Sequence, residues 1–268
     1  MPLVSIVTVG MNHLEFIKNF FASVFSDENS GVDFEVIYVD NCSTDGSVDF
    51  IKGNYPAVKI IENNKPKGFA ENNNLGAKQA SGKYLAIINP DVVLKNNCLA
   101  KLEEYAENHQ GWGVLAPKLL NGDGSIQYSV RSFITLKVML SRMFTFGKDK
   151  SNSRSVSEYL QKNIDTTKVQ SVDWAIGASL FLEKDFFNEL GGFDESYFLY
   201  MEDEDLCLRC WQKGKQVVYV PQSEMVHIHL RTSSKLSRMT FIHLKSMLTF
   251  FWKHGVKVKR PDMTSETV

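Results

Sequence analysis

The chain has 268 residues, of which 43% are hydrophobic and 12% aromatic, so it can bury a sizeable core and is neither disordered nor fibrous. The 30 lysines and arginines nearly balance the 31 aspartates and glutamates. The protein therefore has no overall positive charge that would attract nucleic acid to its entire surface. The four cysteines are too few and too scattered for a disulfide scaffold, and no apolar run is long enough to span a bilayer. We therefore expect a cytoplasmic protein, or one held at the inner face of the cell membrane.

The first third of the chain alternates between β-branched runs and segments of helical period, which predicts βαβ units and a parallel sheet. The predicted strands are Val4–Val9, Phe34–Val39, Val58–Ile61 and Tyr84–Ile88. The predicted helices are His13–Phe25, Ser47–Lys52, Ala70–Ala80 and Leu99–His109. The expected order of elements in this part of the chain is therefore βαβαβαβ, followed by one more helix.

Beyond Gly111 the pattern is less regular. It predicts strands at Trp112–Ala116, Ser179–Leu182 and Gln216–Val220, and helices at Lys184–Leu190 and Glu204–Lys213. The polar, serine-rich stretch Gly147–Asp165 has no period and predicts a mobile loop that closes over a substrate.

Polar residues follow each of the four strands in the first half of the chain. Asn12 follows the first, Asp40 and Asn41 the second, Asn63 the third, and Asn89-Pro90-Asp91 the fourth. Ordinary turn formation accounts for any one of these tips. Because the carboxyl ends of parallel strands meet at one edge, where open sheets bind ligands, the four tips together predict a binding site.

The nature of the ligand follows partly from missing motifs. No Gly-x-Gly-x-x-Gly follows the first strand and no Gly-x-x-x-x-Gly-Lys-[Ser/Thr] occurs, which disfavours dinucleotide and P-loop sites. Asp40 can accept hydrogen bonds from a nucleobase or ribose, and Asp91 has the oxygen chemistry to hold a divalent cation on a diphosphate. We expect a nucleotide diphosphate that is bound with a metal.

The chain carries these motifs in order: Ser5-Ile6-Val7-Thr8-Val9, Val39-Asp40-Asn41-Cys42-Ser43-Thr44-Asp45-Gly46-Ser47, Gly68-Phe69-Ala70-Glu71-Asn72-Asn73-Asn74-Leu75-Gly76, Asn89-Pro90-Asp91, Gly177-Ala178, Gly191-Gly192-Phe193-Asp194-Glu195 and Glu202-Asp203-Glu204-Asp205-Leu206. They resemble the family 2 glycosyltransferases of GT-A fold, particularly the bacterial rhamnosyltransferase-like branch. The resemblance implies an α/β, Rossmann-like GT-A fold, with a mostly parallel central sheet flanked by helices and a C-terminal helical extension. It also implies an inverting transferase that uses a nucleotide diphosphate sugar and Mg²⁺ or Mn²⁺.

On this resemblance, residues 1–225 form the glycosyltransferase domain, with a nucleotide-binding half at 1–110 and an acceptor and catalytic half at 111–225. Residues 226–268 form a basic amphipathic extension. Asp40 would bind the donor base, and the helix opened by Gly68 would place its positive end beside the diphosphate. The full set of expected donor contacts is Thr8, Asn12, Asp40, Asn41, Gly68, Asn72, Asn89 and Asp91.

The expected metal ligands are Asp91 and His227. Asn89-Pro90-Asp91 stands where the family more often has Asp-x-Asp, so it offers only one carboxylate. His227 resembles the late histidine of the family. His229 lies two residues further along a strand and shares its face, so the sequence leaves both histidines open.

Four acids, Glu202 to Asp205, stand at the predicted start of a helix, where carboxylates interact favourably with the helix dipole. Crowding them raises at least one pKa, which suits a general base that works near neutral pH. Asp205 can pair with Arg209 four residues later and support the site. Asp203 is then left as the base, the resemblance points to the same residue, and Glu202 is assigned to the catalytic pair with it.

The expected acceptor contacts are Trp174, Gly177 and Ala178. The Trp174 ring can stack on a sugar, although a tryptophan in the core fits the sequence equally well. Cys207 and Cys210 are spaced like metal ligands but lack a second pair, so we expect buried free thiols.

Between Met225 and Arg260 the sequence has eight basic residues, no acidic ones and many aromatics. Such a segment can lie on an anionic membrane or pack on the core with its lysines reaching to solvent. No nucleic-acid recognition motif accompanies the charge, so nucleic acid is not expected as a partner.

With these observations, the resemblance implies an inverting transferase that moves a sugar, with rhamnose as a candidate, from a dTDP- or UDP-sugar to a bacterial surface polysaccharide or lipid-linked glycan. Two alternatives stay open: a UDP-hexose transferase of the same fold, and a non-catalytic nucleotide-sugar-binding subunit, which the missing acid at Asn89 makes conceivable.

Overall fold

The computed structural model describes residues 2–139, 154–228 and 238–261. Its strands are β1 (Val4–Gly10), β2 (Phe34–Asp40), β3 (Lys59–Glu62), β4 (Tyr84–Ile88), β5 (Val92–Leu94), β6 (Trp112–Leu120), β7 (Val130–Arg131), β8 (Gln170–Ser171), β9 (Trp174–Ala175), β10 (Ser179–Glu183) and β11 (Gln216–His227). The helices considered below are α1 (Leu14–Val24), α2 (Ser47–Asn54), α3 (Phe69–Gln79), α4 (Cys98–Asn108), α5 (Arg154–Tyr159), α6 (Lys184–Glu189), α7 (Glu202–Gln212) and α8 (Arg238–His254).

The main sheet has the strand order β3-β2-β1-β4-β10-β6-β11-β5, with β8 also paired to β11. Strands β1 to β4 pair with one another in parallel, which confirms the predicted βαβ units. β10 runs antiparallel between β4 and β6, and β5 runs antiparallel to β11 at the edge. The sheet is therefore parallel in its first half and mixed in its second, where the sequence pattern is also less regular.

Helices cover both faces of this sheet because successive strand residues point to opposite sides. Val7 of β1 joins a core cluster with residues of α3, α7 and α8, whereas its neighbour Ile6 joins a second cluster with residues of α1 and α4. Phe250 of α8 is fully buried in the first cluster. The C-terminal helix is thus packed against the same layer as the helix that carries the four acids.

Several elements differ from the sequence prediction. The sequence pattern does not predict β5, because a strand of three residues is too short to show a period. The last strand, β11, is longer than predicted and continues past Val220 to His227. The loop prediction for Gly147–Asp165 is corrected in part: residues 147–153 lie outside the described residues, but α5 follows them. Val156 and Tyr159 of α5 are buried, so apolar side chains three residues apart fix a helix among the serines.

Two further expectations can be compared with the structure. Cys207 and Cys210 are buried free thiols, as predicted. Among the helices of the described ranges, none combines the length and the apolar composition that crossing a membrane would require.

Candidate active site

Hydrogen bonds join the carboxyl ends of the first three strands into one edge. The Asn41 N–H donates to the Gly10 carbonyl at 2.8 Å, and the Asn63 N–H donates to the Asp40 carbonyl at 2.9 Å. The buried Asn41 side chain accepts the Lys67 N–H at 2.8 Å and donates to the Lys67 carbonyl at 3.1 Å. Asn41 therefore fastens the loop after β3 to the end of β2, as the predicted convergence of the tips requires.

Asn12 and Asp40 shape the two loops beside this edge. Asn12 adopts a positive φ of 56°, and its side-chain oxygen accepts the Thr44 N–H at 2.8 Å. Asp40 is 4% exposed and accepts the Ser43 N–H at 2.9 Å. Both expected contacts to the donor substrate thus have partners within the protein. The buried hydroxyl of Thr8 on β1, in contrast, has no hydrogen-bond partner in the described part of the chain.

The start of α3 is packed directly against the turn that precedes α7. The Phe69 N–H donates to the Phe198 carbonyl at 2.9 Å, and a Cβ added at Gly68 would lie 2.6 Å from that carbonyl oxygen. The buried Asn72 side chain donates to the Gly68 carbonyl at 2.9 Å and accepts from Asn63 at 2.6 Å. Glycine is therefore needed at position 68 by close backbone approach, and Asn72 stabilises the loop from inside.

The two predicted metal ligands lie together. The antiparallel pairing of β5 with β11 places Val92 opposite His227, and the His227 Nε2 lies 3.4 Å from Asp91 Oδ2. His227 Nδ1 is 2.7 Å from the side-chain oxygen of Gln127, a contact in which only the nitrogen can donate. His229, the other histidine that the sequence left open as a metal ligand, lies outside the described residues.

This arrangement fits a divalent cation. The His227 Nε2 faces Asp91 Oδ2, and the other carboxylate oxygen of Asp91 is buried without a hydrogen-bond partner among the described residues. A cation would pair the buried Asp91 oxygen, and carboxylate and diphosphate oxygens with water suit Mg²⁺ or Mn²⁺. Within the described ranges no three potential ligand side chains converge, so the remaining ligands would come from a bound diphosphate and water.

Asp203 lies at the start of α7, next to the loop that carries Gly177 and Ala178. One of its oxygens accepts the Gly177 N–H at 2.8 Å, and the other accepts the Glu204 N–H at 2.9 Å. The next carbonyl, that of Ala178, accepts the Asn89 N–H at 2.9 Å. Two adjacent loop residues thus connect the expected base to the motif that contains Asp91.

Burial changes the acid–base properties of the cluster. It raises the pKa of Asp203 above the ordinary value, against the opposing effect of the N–H groups of Gly177 and Glu204. Burial, with the charge of Asp203 adding to it, raises the pKa of Glu202 and of Glu204 well above the usual carboxyl range. Glu204 faces inward and accepts the Ile134 N–H at 2.6 Å. Asp203 is the only member of this trio that is not fully buried, which suits it to take a proton.

Asp205 has the supporting position that its spacing predicted. Its Oδ2 accepts from Arg209 Nε at 2.7 Å, which confirms the pairing within the helix. Its Oδ1 accepts from His254 Nε2 at 2.7 Å, a contact from α8 that the sequence did not reveal. The sequence pattern around His254 does not indicate which distant residue its side chain contacts.

α8 also supports the turn between α3 and α7. Tyr200 and Met201 have φ values of 69° and 74°, a conformation that is unfavourable for side-chain-bearing residues. The Tyr200 ring lies 4.5 Å from the His243 ring, and the Ser246 hydroxyl donates to the Leu199 carbonyl at 2.9 Å. Contacts from α8 therefore hold a strained turn directly before Asp203.

The expected acceptor residues occupy two different environments. Gly177 and Ala178 contact Asp203 and Asn89, as described above. Trp174 is only 4% exposed, and its indole N–H donates to the Ser132 carbonyl at 2.8 Å. The ring therefore lies in the core, which is the second of the two positions that the sequence allowed.

Comparisons with known proteins show which family the chain belongs to. The profile described as Glycosyl transferase family 2 matches residues 5–167, and that of Glycosyl transferase family group 2 matches residues 131–253. Rhamnosyltransferase WbbL of Escherichia coli (strain K12) is 27% identical over 277 residues, which covers 96% of each chain. N-acetylglucosaminyl-diphospho-decaprenol L-rhamnosyltransferase of Mycobacterium tuberculosis (strain ATCC 25618 / H37Rv) is 28% identical over 85% of this chain and 75% of that protein.

Solved structures of the same fold include two metal complexes. GalNAc-T7 with UDP, GalNAc and Mn²⁺ gives a TM-score of 0.66 at 18% identity, covering 94% of this chain and 48% of that chain. Mannosyltransferase PcManGT from Pyrobaculum calidifontis, in complex with GDP-Man and Mn²⁺, gives 0.63 at 16% identity, covering 97% and 66%. These likenesses confirm the expected α/β GT-A fold. The family 2 profile matches more than half of the chain and both sequence relatives are rhamnosyltransferases, so the chain belongs to glycosyltransferase family 2, as a rhamnosyltransferase-like enzyme.

Proposed function

We propose that this glycosyltransferase moves a sugar from a nucleotide diphosphate donor to a glycan hydroxyl, with inversion at the anomeric carbon. The observation that carries the proposal is the link from Asp203 through Gly177 and Ala178 to Asn89, which joins a carboxylate of raised pKa to the expected donor motif. Rhamnose from dTDP-rhamnose is the proposed donor sugar because both curated relatives are named rhamnosyltransferases.

In this reaction Asp203 takes the proton of the acceptor hydroxyl as its oxygen attacks the anomeric carbon. The bond from that carbon to the diphosphate breaks, and its electron pair leaves on the diphosphate oxygen. A single displacement inverts the configuration. The amino-terminal end of α3, beside Gly68, supplies partial positive charge toward the departing phosphate.

Asp91 and His227 are the residues that we propose to hold Mg²⁺ or Mn²⁺. The cation, when bound, neutralises charge on the diphosphate. Gln127 orients the His227 ring through Nδ1, and the Ile228 N–H donates to the Asp91 carbonyl at 2.8 Å. These contacts hold the His227 ring and the Asp91 backbone in place. The Mn²⁺ in two structures of the same fold supports the assignment.

We propose a polysaccharide or lipid-linked glycan as the acceptor. Support comes from the mycobacterial relative, whose name specifies a diphospho-decaprenol-linked N-acetylglucosamine. The non-catalytic alternative is less well supported, because a binding subunit has no need of a carboxylate with raised pKa beside the donor motif.

The test measures thermal stabilisation and sugar transfer with dTDP-rhamnose and with UDP-sugars, each with and without Mn²⁺. We expect a metal-dependent stabilisation by dTDP-rhamnose. Asp203→Asn should keep it and lose about 10²–10⁴-fold in transfer rate. Asp91→Asn should lose the Mn²⁺-dependent part, whereas Asp185→Asn, at an exposed site on α6, should change neither.

Unchanged turnover in Asp203→Asn would refute the assignment of the base. Stabilisation by UDP-sugars alone would replace the donor by a UDP-hexose. Absence of stabilisation by every nucleotide sugar would refute the nucleotide site.

A further inference from the structure

The outward face of α8 carries large apolar side chains at the surface. Phe241, Leu248 and Trp252 are 65%, 55% and 84% exposed. Their spacing of seven and four residues places them on one stripe of the helix, and with Leu244 they line a shallow groove of about 420 Å³. The opposite face, which includes Phe250, packs into the core. Packing within the protein therefore accounts for one apolar face of α8 and leaves the other unexplained.

Exposed lysines accompany the apolar stripe. Lys245 lines the groove, and Lys257 and Lys259 follow the end of the helix, all three exposed. The sequence from Met225 to Arg260 contains no acidic residue. This combination of exposed aromatics and lysines is complementary to a surface that is apolar inside and negatively charged outside.

We propose that this face of α8 docks on an anionic lipid bilayer, with the apolar stripe in the headgroup region and the lysines against lipid phosphates. Trp252 suits this position because an indole ring is stable at the boundary between water and hydrocarbon. A second copy of the chain is a poorer occupant, since it would bring two basic, acid-free helix faces together.

The proposed docking surface adjoins the candidate active site, so docking would bring that site close to the membrane. A groove of about 250 Å³ lies between α8 and the turn that contains Ser196 and Phe198. Phe198 is 51% exposed, and its carbonyl holds the start of α3 beside Gly68. The docking surface is therefore continuous with the edge of the proposed donor site. The proposal goes beyond sugar transfer, because it depends on α8 and on no property of the donor.

Tryptophan fluorescence tests the docking directly in the full chain. Trp112, Trp174 and Trp211 are at most 6% exposed, so a change on vesicle binding reports mainly on Trp252. We expect a blue shift with vesicles of equal phosphatidylglycerol and phosphatidylcholine at low salt, and none with phosphatidylcholine alone. Trp252→Phe should abolish the shift while the protein still co-sediments with the anionic vesicles.

Two variants separate the apolar and the charged contributions. Phe241→Ser/Leu248→Ser/Trp252→Ser and Lys245→Gln/Lys257→Gln/Lys259→Gln should each lower affinity for anionic vesicles about tenfold or more. The matched control Tyr128→Ser/Val169→Ser changes apolar residues that are 40% and 36% exposed elsewhere, and should bind like the wild type.

Circular dichroism should show that every variant is folded. Absence of co-sedimentation in the wild type would overturn the proposal. So would equal binding by the wild type and both variants, or a dimer that depends on the apolar stripe and forms without lipid. These measurements contain no nucleotide sugar, so their failure is independent of failure of the proposed transferase reaction.

Discussion

Replacing His254 by alanine tests whether α8 positions the helix that carries Asp203. His254 donates to Asp205 at 2.7 Å, the Asp205 side chain is 1% exposed, and that of His254 is 14% exposed. The substitution removes one of two donors to a buried carboxylate and leaves Arg209 as the other. We therefore expect a loss of stability together with a loss of transfer rate.

The expected magnitude follows from the burial of the acceptor. A hydrogen bond to a charged group contributes about 1.5–3 kcal/mol, and water reaches this site poorly enough for little to be regained. A chain of this size loses roughly 2–4 °C per kcal/mol, which gives a melting temperature lower by about 3–12 °C. Because Asp203 and Asp205 both lie on α7, kcat should fall. Donor affinity should stay within about twofold, since the proposed donor contacts lie outside this helix.

Thermal melting, urea unfolding and steady-state transfer kinetics measure these effects. His254→Gln should retain much of the wild-type behaviour, because its amide N–H can replace the ring donor. Lys253→Gln, the neighbouring control, removes a more exposed contact to Asp194 and should cost at most about 1 kcal/mol. In a double-mutant cycle, His254→Ala and Asp205→Asn should couple by at least about 1 kcal/mol. Additive effects, or a stable His254→Ala protein with normal kcat, would refute the reasoning.

Three further predictions concern the acids and the glycine of the site. Since burial raises the pKa of Asp203 above 3.8, kcat/KM should fall as pH drops through that raised value, a limb that Asp203→Asn should lack. Burial raises the pKa of Glu204, so the folded state holds its proton more tightly and the wild type loses stability as pH rises between the unfolded and folded pKa values. Glu204→Gln should remove this loss, and urea titrations should show a stability advantage over the wild type that grows with pH; a constant difference would contradict it. Gly68→Ala must displace the Phe198 backbone and should cost about 1–3 kcal/mol in urea unfolding, whereas Gly122→Ala, at an open position, should be near neutral.

Local patterns were sufficient for much of this molecule. The alternation of β-branched and helical segments predicted β1 to β4 and their parallel order, because strand and helix periods are local properties. The i, i+4 spacing of Asp205 and Arg209 predicted their ion pair. The family was identified from the resemblance of the motifs, because composition and periodicity carry no information about family membership.

The sequence by itself thus determined the α/β class, the convergence of polar tips at one sheet edge and the acidic start of α7. The resemblance paired Asp91 with His227 as metal ligands, but only the tertiary structure showed how they meet, through pairing of the three-residue β5 with the far end of β11. The tertiary structure also decided that Trp174 is in the core and that His254 contacts Asp205. These outcomes depend on pairings between segments distant in the chain, and such pairings are set by packing of the whole core, which no local period records.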